Sequence, residues 1–371
     1  MAPDLSPQEL TYLDRARTLA RNGWGHVHPN PLVGCVLVRD GVVVGEGFHA
    51  RFGGPHAEIA ALEEARSAAE GATAYVSLEP CHHHGKTPPC SEALLEAGIR
   101  RLVYGAAEPG REAGGGAEAL RREGVEVMGP VWSEVEAQRE NPAFFHNARH
   151  GTPFVTLKLA MSLDARIAAA PGRRTRITGP EADREVHRLR AGFDAVMVGA
   201  GTVRADDPRL TVRLVARGER PSRRVVLDPN ASTPSEAALF RESDDLIPVH
   251  LFTREDADEA EIERLEARGA HVHPVRSDPE GRLELTHVAE VLWEIGVRSI
   301  FCEGGRRLAN RLLVEERVHR LLLFVAPTTL GAGGLPAFGD DADGLDWSRF
   351  EPLPPAGYGR DALLTFDRME A

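Results

Sequence analysis

Cysteine is scarce in this chain, with only Cys35, Cys81, Cys90 and Cys302 among 371 residues. So few thiols cannot staple a fold of this length, which excludes a disulfide scaffold and leaves a cysteine near histidines available to a metal. Aromatic residues make up 6% of the chain, and no run of about 20 apolar residues occurs, so a membrane-spanning helix is not expected. No positively charged leader precedes an apolar run, and the expected compartment is the cytoplasm. Positive charge is also in deficit: 44 Lys and Arg against 56 Asp and Glu give a formal net charge of −12. An acidic surface repels phosphate backbones, so no nucleic-acid partner is expected. The arginines at Arg173, Arg174 and Arg176, and those between Arg217 and Arg224, read as scattered solvated charges. The dinucleotide fingerprint G-x-G-x-x-G is absent as well.

What is present has the composition of a globular protein, 42% hydrophobic and 27% charged. The length exceeds one ordinary core, which predicts two domains. We place them at residues 1–150 and 151–371, with the polar stretch Glu140–His150 before the second begins near Gly151-Thr152-Pro153. Ser6-Pro7-Gln8-Glu9 is a capping box that opens a helix. Strands Val33–Val38 and Val42–Gly47 follow, joined by Asp40-Gly41, a tight hairpin signal. Further on, a helix is expected over His56–Ala69, strand Thr73–Leu78, helix Ser91–Ala97, strand Arg101–Ala106, helix Ala117–Glu123 and strand Val125–Met128. A hairpin followed by alternating strands and helices predicts a mixed sheet covered by helices. The second domain again alternates, from strand Phe154–Met161 to strand Ala362–Phe366. Cys35 and Cys302 lie inside apolar strands and read as small buried hydrophobes.

The sharpest constellation is His56-Ala57-Glu58, then Glu79-Pro80-Cys81 and Pro89-Cys90. One imidazole and two thiolates suit zinc, with a fourth tetrahedral position left for water. Cys90 is expected at a helix start, where the helix dipole favours a thiolate. Glu58, two residues past the histidine, can move protons without binding metal. This is the pattern of the zinc deaminases, H-x-E followed by P-C-x-x-C, except that eight residues separate the cysteines here. A structural zinc site is the alternative, with the His82-His83-His84 tract supplying the fourth ligand. Such a site gives Glu58 no task.

The long insertion Glu79–Cys90, together with His28-Pro29-Asn30-Pro31, Val33-Gly34-Cys35-Val36, Gly45-Glu46-Gly47-Phe48-His49 and Pro55-His56-Ala57-Glu58, resembles the riboflavin-biosynthesis pyrimidine deaminases. The resemblance implies a cytidine-deaminase-like α/β/α fold with zinc on His56, Cys81 and Cys90, and Glu58 as proton shuttle. It also implies that Asn30, His49, His83 and Lys86 contact a phosphoribosylamino-pyrimidine. Read alone, Asn30 is a turn former, His49 a strand-end cap and Lys86 a loop charge. One loop departs from the family: Glu108-Pro109-Gly110-Arg111 and Gly114-Gly115-Gly116 replace its Asp-Pro-Asn-Pro and Gly-Arg/Lys-Gly stretches.

In the second domain, strand Ser299–Cys302 runs through Glu303 into Gly304-Gly305-Arg306-Arg307 and a helix, an arrangement that can cradle a phosphate. Thr156–Asp164, Val198–Val203 and Ala205–Arg213 resemble the riboflavin-pathway reductases, whose fold is similar to dihydrofolate reductase. The resemblance implies NADPH near Ala160, Arg176, Thr202, Asp206, Gly304, Gly305, Arg306 and Arg307. It places the substrate near Lys158, Arg174, Arg190, Leu210, Arg213 and Glu303. Here too the chain departs: Arg174 and Arg176 stand where the family has serine and tryptophan, and Ala165 where it has glycine. An arginine cannot offer the flat apolar wall of a tryptophan. Two readings therefore stand, a bifunctional deaminase–reductase or a deaminase whose second domain does not reduce. An RNA-editing deaminase is a third reading, opposed by the acidic charge. A homo-oligomer is the expected assembly.

Overall fold

The computed structural model describes residues 5–83, 88–110, 113–216, 218, 220–241, 247–339 and 345–369. The chain divides into two compact units, Met1–Gly151 and Thr152–Ala371.

The first unit opens with α1 (Pro7–Ala20), whose Ser6–Glu9 capping box is formed as its sequence predicts. Strands β1 (Gly34–Arg39) and β2 (Val42–Phe48) pair antiparallel. Asp40 and Gly41 between them both have positive φ, 49° and 78°, as a tight hairpin turn requires. Helix α2 (Ala57–Ala65), strand β3 (Thr73–Leu78), helix α3 (Cys90–Glu96), strand β4 (Arg101–Ala106), helix α4 (Gly116–Arg122) and strand β5 (Glu126–Met128) follow. The sheet order is β2-β1-β3-β4-β5, with β3, β4 and β5 parallel.

Two differences from the sequence reading have clear causes. The helix expected over His56–Ala69 ends at Ala65, where the cap Arg66 has φ +51°, and resumes as a short 3-10 turn. The polar stretch Glu140–His150, to which the sequence reading assigns no element, is helical. It belongs to α5 (Glu134–Glu140), capped by Ser133 and Glu136, and to α6 (Pro142–His150), which buries Phe145. Two apolar clusters lie on the two faces of the sheet. One joins Cys35, Leu37, Ala74 and Val76 to Ala57, Ala61, Leu94 and Leu120. The other joins Val36, Val38 and Tyr75 to Leu13, Ala16, Ala137 and Phe145.

Gly47 sets the height of α2 above the sheet. A Cβ on it would lie 2.3 Å from the Ala57 carbonyl oxygen and 2.5 Å from the Ala61 amide nitrogen. Only a residue without a side chain lets the helix that begins at His56 sit so close.

The second unit runs β6 (Phe154–Ser162), β7 (Arg166–Ala168), α7 (Pro180–Ala191), β8 (Ala195–Gly199), α8 (Ala200–Asp206), β9 (Arg223–Leu227) and β10 (Val249–Arg254). It continues with α9 (Glu259–Glu266), β11 (Ala270–Val275), α10 (Leu285–Glu294), β12 (Ser299–Cys302), α11 (Arg306–Val314) and β13 (Arg320–Ala326). Short strands β14 (Leu335–Pro336), β15 (Phe350–Pro352) and β16 (Ala356–Tyr358) precede β17 (Asp361–Arg368). Its main sheet has the order β11-β10-β9-β8-β12-β6-β13-β17-β15. The strands from β11 to β13 are parallel, and β17 turns antiparallel. Parallel pairing needs crossovers, which the helices provide, and the sheet is covered on both faces. Cys35 and Cys302 are fully buried in their strands, where burial pushes both thiols up.

A candidate metal centre and a candidate cofactor site

In the first unit three elements bring their ends together. His56 is the N-cap of α2, Cys90 is the first residue of α3, and Cys81 follows β3. Their ligand atoms all lie within 4.8 Å of one another. His56 Nδ1 is 3.2 Å from Cys90 Sγ and 3.6 Å from Cys81 Sγ. One imidazole nitrogen and two sulfurs, converging across three elements, form a borderline-soft donor set that fits zinc.

The helix dipole acts on a different sulfur from the one expected. The backbone amide of Cys90 at the start of α3 donates to Cys81 Sγ, at 3.4 Å. The Cys81 thiol is held well below its ordinary value by its hydrogen bond with Cys90, with His56 and this amide adding to it. Cys90 is pushed up by the same sulfur–sulfur pairing and by burial. The amide at the start of α3 thus favours negative charge on Cys81, because the amide of a first-turn residue points past its own side chain, and zinc ligation takes both sulfurs as thiolates.

Glu58, on the first turn of α2, is 3% exposed. Burial pushes its carboxyl up to about 7. A carboxyl poised near neutrality, beside but outside the donor set, can both take and return a proton.

His49 is buried 5.5 Å, ring to ring, from His56 and edge-on to it. Its Nδ1 lies 2.9 Å from the Pro55 carbonyl oxygen, so that nitrogen carries the proton and donates. Its Nε2 then accepts from Asn30 Nδ2 at 3.2 Å. Asn30 and His49 are thus one unit anchored to the residue before His56. His83 is exposed, while Lys86 lies outside the described residues.

Sequence reasoning missed Glu79. Its carboxylate accepts from the amides of Glu108 (3.2 Å), Gly115 (3.2 Å) and Ala117 (3.1 Å), pinning the loop that departs from the family to the strand end carrying Cys81. Within that loop burial pushes Glu108 up to about 7.

In the second unit the candidates gather at the carboxyl ends of the parallel strands, where open α/β sheets bind ligands. Glu303, just past β12, accepts from Arg190 Nε at 2.5 Å and faces Lys158 Nζ at 3.9 Å. Burial alone would raise the Glu303 carboxyl, but Arg190 and Lys158 outweigh it and hold it below the usual range. Burial in turn lowers Lys158. Thr211 accepts through its carbonyl from Arg190 at 3.1 Å and through its hydroxyl from Arg213 at 2.9 Å.

Facing this group, Gly305 caps α11, with Arg306 and Arg307 in the first turn and no acidic residue there. The Gly305 amide donates to Thr202 Oγ1 at 3.2 Å. A glycine turn, free of side chains and opening a cationic helix start, fits a phosphate. Ala160 lies half-buried on β6, and Arg307 is exposed.

Three candidates sit otherwise than their residue types suggest. Leu210 is buried in the core with φ +56°, so it reaches a ligand only through backbone. Arg176 is exposed and donates to Asp183 Oδ2 at 2.8 Å on α7. Arg174, also exposed, faces Asp206, whose carboxyl burial raises and Arg174 partly lowers.

Comparison with known proteins follows the same division. The RibD C-terminal domain family matches residues 153–348, and the cytidine and deoxycytidylate deaminase zinc-binding region matches residues 6–106. Riboflavin biosynthesis protein RibD of Escherichia coli (strain K12) is 39% identical over 331 residues, covering 88% of this chain and 89% of that protein. RibD of Aquifex aeolicus is 38% identical over 326 residues, covering 88% of each.

This chain belongs to the RibD family.

Solved RibD-type structures agree with it along nearly the whole chain. Acinetobacter baumannii RibD superposes with a TM-score of 0.84 at 33% identity, covering 98% of this chain and 99% of that one. The Thermotoga maritima diaminohydroxyphosphoribosylaminopyrimidine deaminase/5-amino-6-(5-phosphoribosylamino)uracil reductase gives 0.81 at 34%, covering 97% and 99%. RibD membership accounts for both donor clusters in one chain, and nothing in these likenesses favours a deaminase standing alone. Among the described residues no helix is long and apolar enough to cross a membrane.

His187 is a second residue that sequence reasoning missed. It is buried one turn before Arg190 on α7, and its Nδ1 accepts from the Arg213 backbone amide at 3.1 Å. Its signal was legible only as i, i+3 spacing on a helix face.

Proposed function

We propose that this chain performs two successive steps of riboflavin synthesis. Residues 1–150 deaminate 2,5-diamino-6-(5-phosphoribosylamino)pyrimidin-4(3H)-one, and residues 151–371 reduce the ribosyl side chain of the product to ribityl with NADPH. The observation that carries the reading is Glu58, buried and raised toward neutrality beside the convergent His56, Cys81 and Cys90. A closed structural site would have no use for such a carboxyl.

His56, Cys81 and Cys90 would hold a zinc ion, which would supply the Lewis acidity that makes water a nucleophile at neutral pH. Glu58 accepts the proton that the attacking water loses and delivers it to the ring amino group, which leaves as ammonia. Asn30 and His49 contact the pyrimidine, with the proton on His49 Nδ1 fixed by the Pro55 carbonyl. His83 and Lys86 are the contacts for the ribose phosphate.

NADPH bound in the second unit would supply the hydride for the ribose carbon bonded to nitrogen, the ring oxygen released there taking a proton. Lys158, Arg174, Arg190, Leu210, Arg213 and Glu303 hold the substrate, the guanidinium groups matching its phosphate. Ala160, Arg176, Thr202, Asp206 and Gly304–Arg307 line the cofactor. The assembly is a homo-oligomer acting in the cytoplasm on a small molecule.

Purified protein supplied with the deaminated ribosylamino-uracil phosphate should oxidise NADPH steadily. No oxidation, with ammonia still released from the diaminopyrimidinone, would leave a deaminase alone. Glu58→Gln should cut ammonia release by roughly 10³-fold while zinc content and NADPH oxidation persist. Unchanged release would refute the proton-shuttle role.

A further inference from the structure

The segment from Asp206 to Arg213 is held in a shape that its own residues disfavour. Asp207 and Leu210 both occupy the left-handed region, at φ +43° and +56°, where a side-chain-bearing residue persists only if its surroundings enforce it. Leu210 is anchored on one side by core packing. On the other side the restraint comes from α7, at two points one turn apart. Arg190 donates to the Thr211 carbonyl at 3.1 Å, and His187 Nδ1 accepts the Arg213 amide at 3.1 Å.

An acceptor role requires that Nδ1 carry no proton. Burial, with Arg190 and Arg213 adjacent, pushes the His187 imidazole down to about 4, so it is neutral and free to accept. The next backbone step from this hydrogen bond is the Arg213 side chain, whose guanidinium is steadied by Thr211 Oγ1 at 2.9 Å.

We propose that His187 is a positioning residue of the reductase, fixing the Arg213 backbone so that its guanidinium meets the substrate phosphate; this rests on the reading of Arg213 as a substrate ligand. His187 itself is a buried residue of α7 whose Nδ1 is taken up by the Arg213 amide, so it acts through Arg213. Its effect is therefore on substrate binding rather than on the hydride step.

The test measures NADPH oxidation at varied ribosylamino-uracil phosphate in the full-length zinc-loaded protein, for wild type, His187→Ala, His187→Asn and His187→Gln. Losing the acceptor for this part-buried amide should raise the KM for this substrate about tenfold in His187→Ala, with kcat and the KM for NADPH within about twofold. Asn carries an oxygen where Nδ1 sits, and Gln places its own one bond further out. His187→Asn should thus restore the KM and His187→Gln should not. A KM unchanged in His187→Ala, or a loss confined to kcat, overturns the proposal. If His187→Ala does not fold, equal KM values for the Asn and Gln variants overturn it instead. Wild-type protein that oxidises no NADPH would refute the reductase reading itself, a separate outcome.

Discussion

Gly47 offers a direct test of how the fold positions the metal centre. In Gly47→Ala the new methyl would sit 2.3 Å from the Ala57 carbonyl oxygen, 2.5 Å from the Ala61 amide nitrogen and 2.8 Å from the Ala60 Cβ. Two of those atoms are helix backbone, which cannot swing aside, so α2 must lift by about 1 Å to reach van der Waals separation. Such overpacking costs about 1–3 kcal/mol in stability. The larger effect is local, because Ala57 stands between His56 and Glu58 at the helix start. A displacement of about 1 Å in a catalytic constellation costs roughly 100-fold in rate. We therefore expect Gly47→Ala to lower ammonia release about 100-fold and to weaken zinc retention against a competing chelator. NADPH oxidation by the second unit serves as the internal reference and should be unchanged. Gly41→Ala supplies the control for stability alone: it sits at φ +78° with nothing within 4 Å of a Cβ, costing about 1 kcal/mol without touching α2. If Gly47→Ala keeps both its zinc and its deaminase rate, close approach of α2 to β2 does not set the site, and the argument is wrong.

Three further outcomes follow from the second unit. Glu303→Gln leaves Lys158 and Arg190 buried without their shared anion, which should destabilise the protein by about 3 kcal/mol and lower Tm by roughly 10 °C; a fall under about 2 °C would contradict the buried-pair reading. Arg176→Ala breaks a pair exposed to solvent and should shift stability by less than about 1 kcal/mol. A raised KM for NADPH in that same variant would report contact between Arg176 and the cofactor, and an unchanged KM would remove it from the cofactor site. Burial, with Arg190 and Arg213 nearby, pushes folded His187 down to about 4 from its ordinary value of 6.5. The unfolded chain then binds the proton first, so stability should decline as pH falls from about 6.5 to 4, by an amount of order 1–3 kcal/mol. Urea titrations across that window should show a shallower decline in His187→Asn, and parallel curves would show that His187 is not the group responsible.

Much of this protein is legible in its sequence because the relevant physics is local. The Ser6–Glu9 box caps α1, and Asp40-Gly41 closes a hairpin whose two central residues both need positive φ. His56-Ala57-Glu58, Cys81 and Cys90 announce their chemistry by residue type, since few other side chains bind zinc or move protons beside it. Likewise the α/β character of the second unit is legible in its alternation of strands and helices. The sequence failed where a signal was weak or distributed. A run of polar residues hid α5 and α6, because Ser133 and the buried Phe145 decide that segment more than its average polarity does. Which sulfur receives the amide at the start of α3 depended on the direction of one backbone N–H, which residue order does not state.

The sequence by itself determined the two-domain division of labour and the kinds of atoms at each site, since donor chemistry is a property of residue type. Tertiary structure alone decided how those atoms act on one another. Burial raised Glu58 toward neutrality, and a carbonyl fixed the proton on His49. Packing left Arg176 on Asp183 and set Leu210 against the core. The physical reason is that desolvation, hydrogen-bond direction and close approach depend on distances between residues far apart in the chain, and only the folded molecule sets those distances.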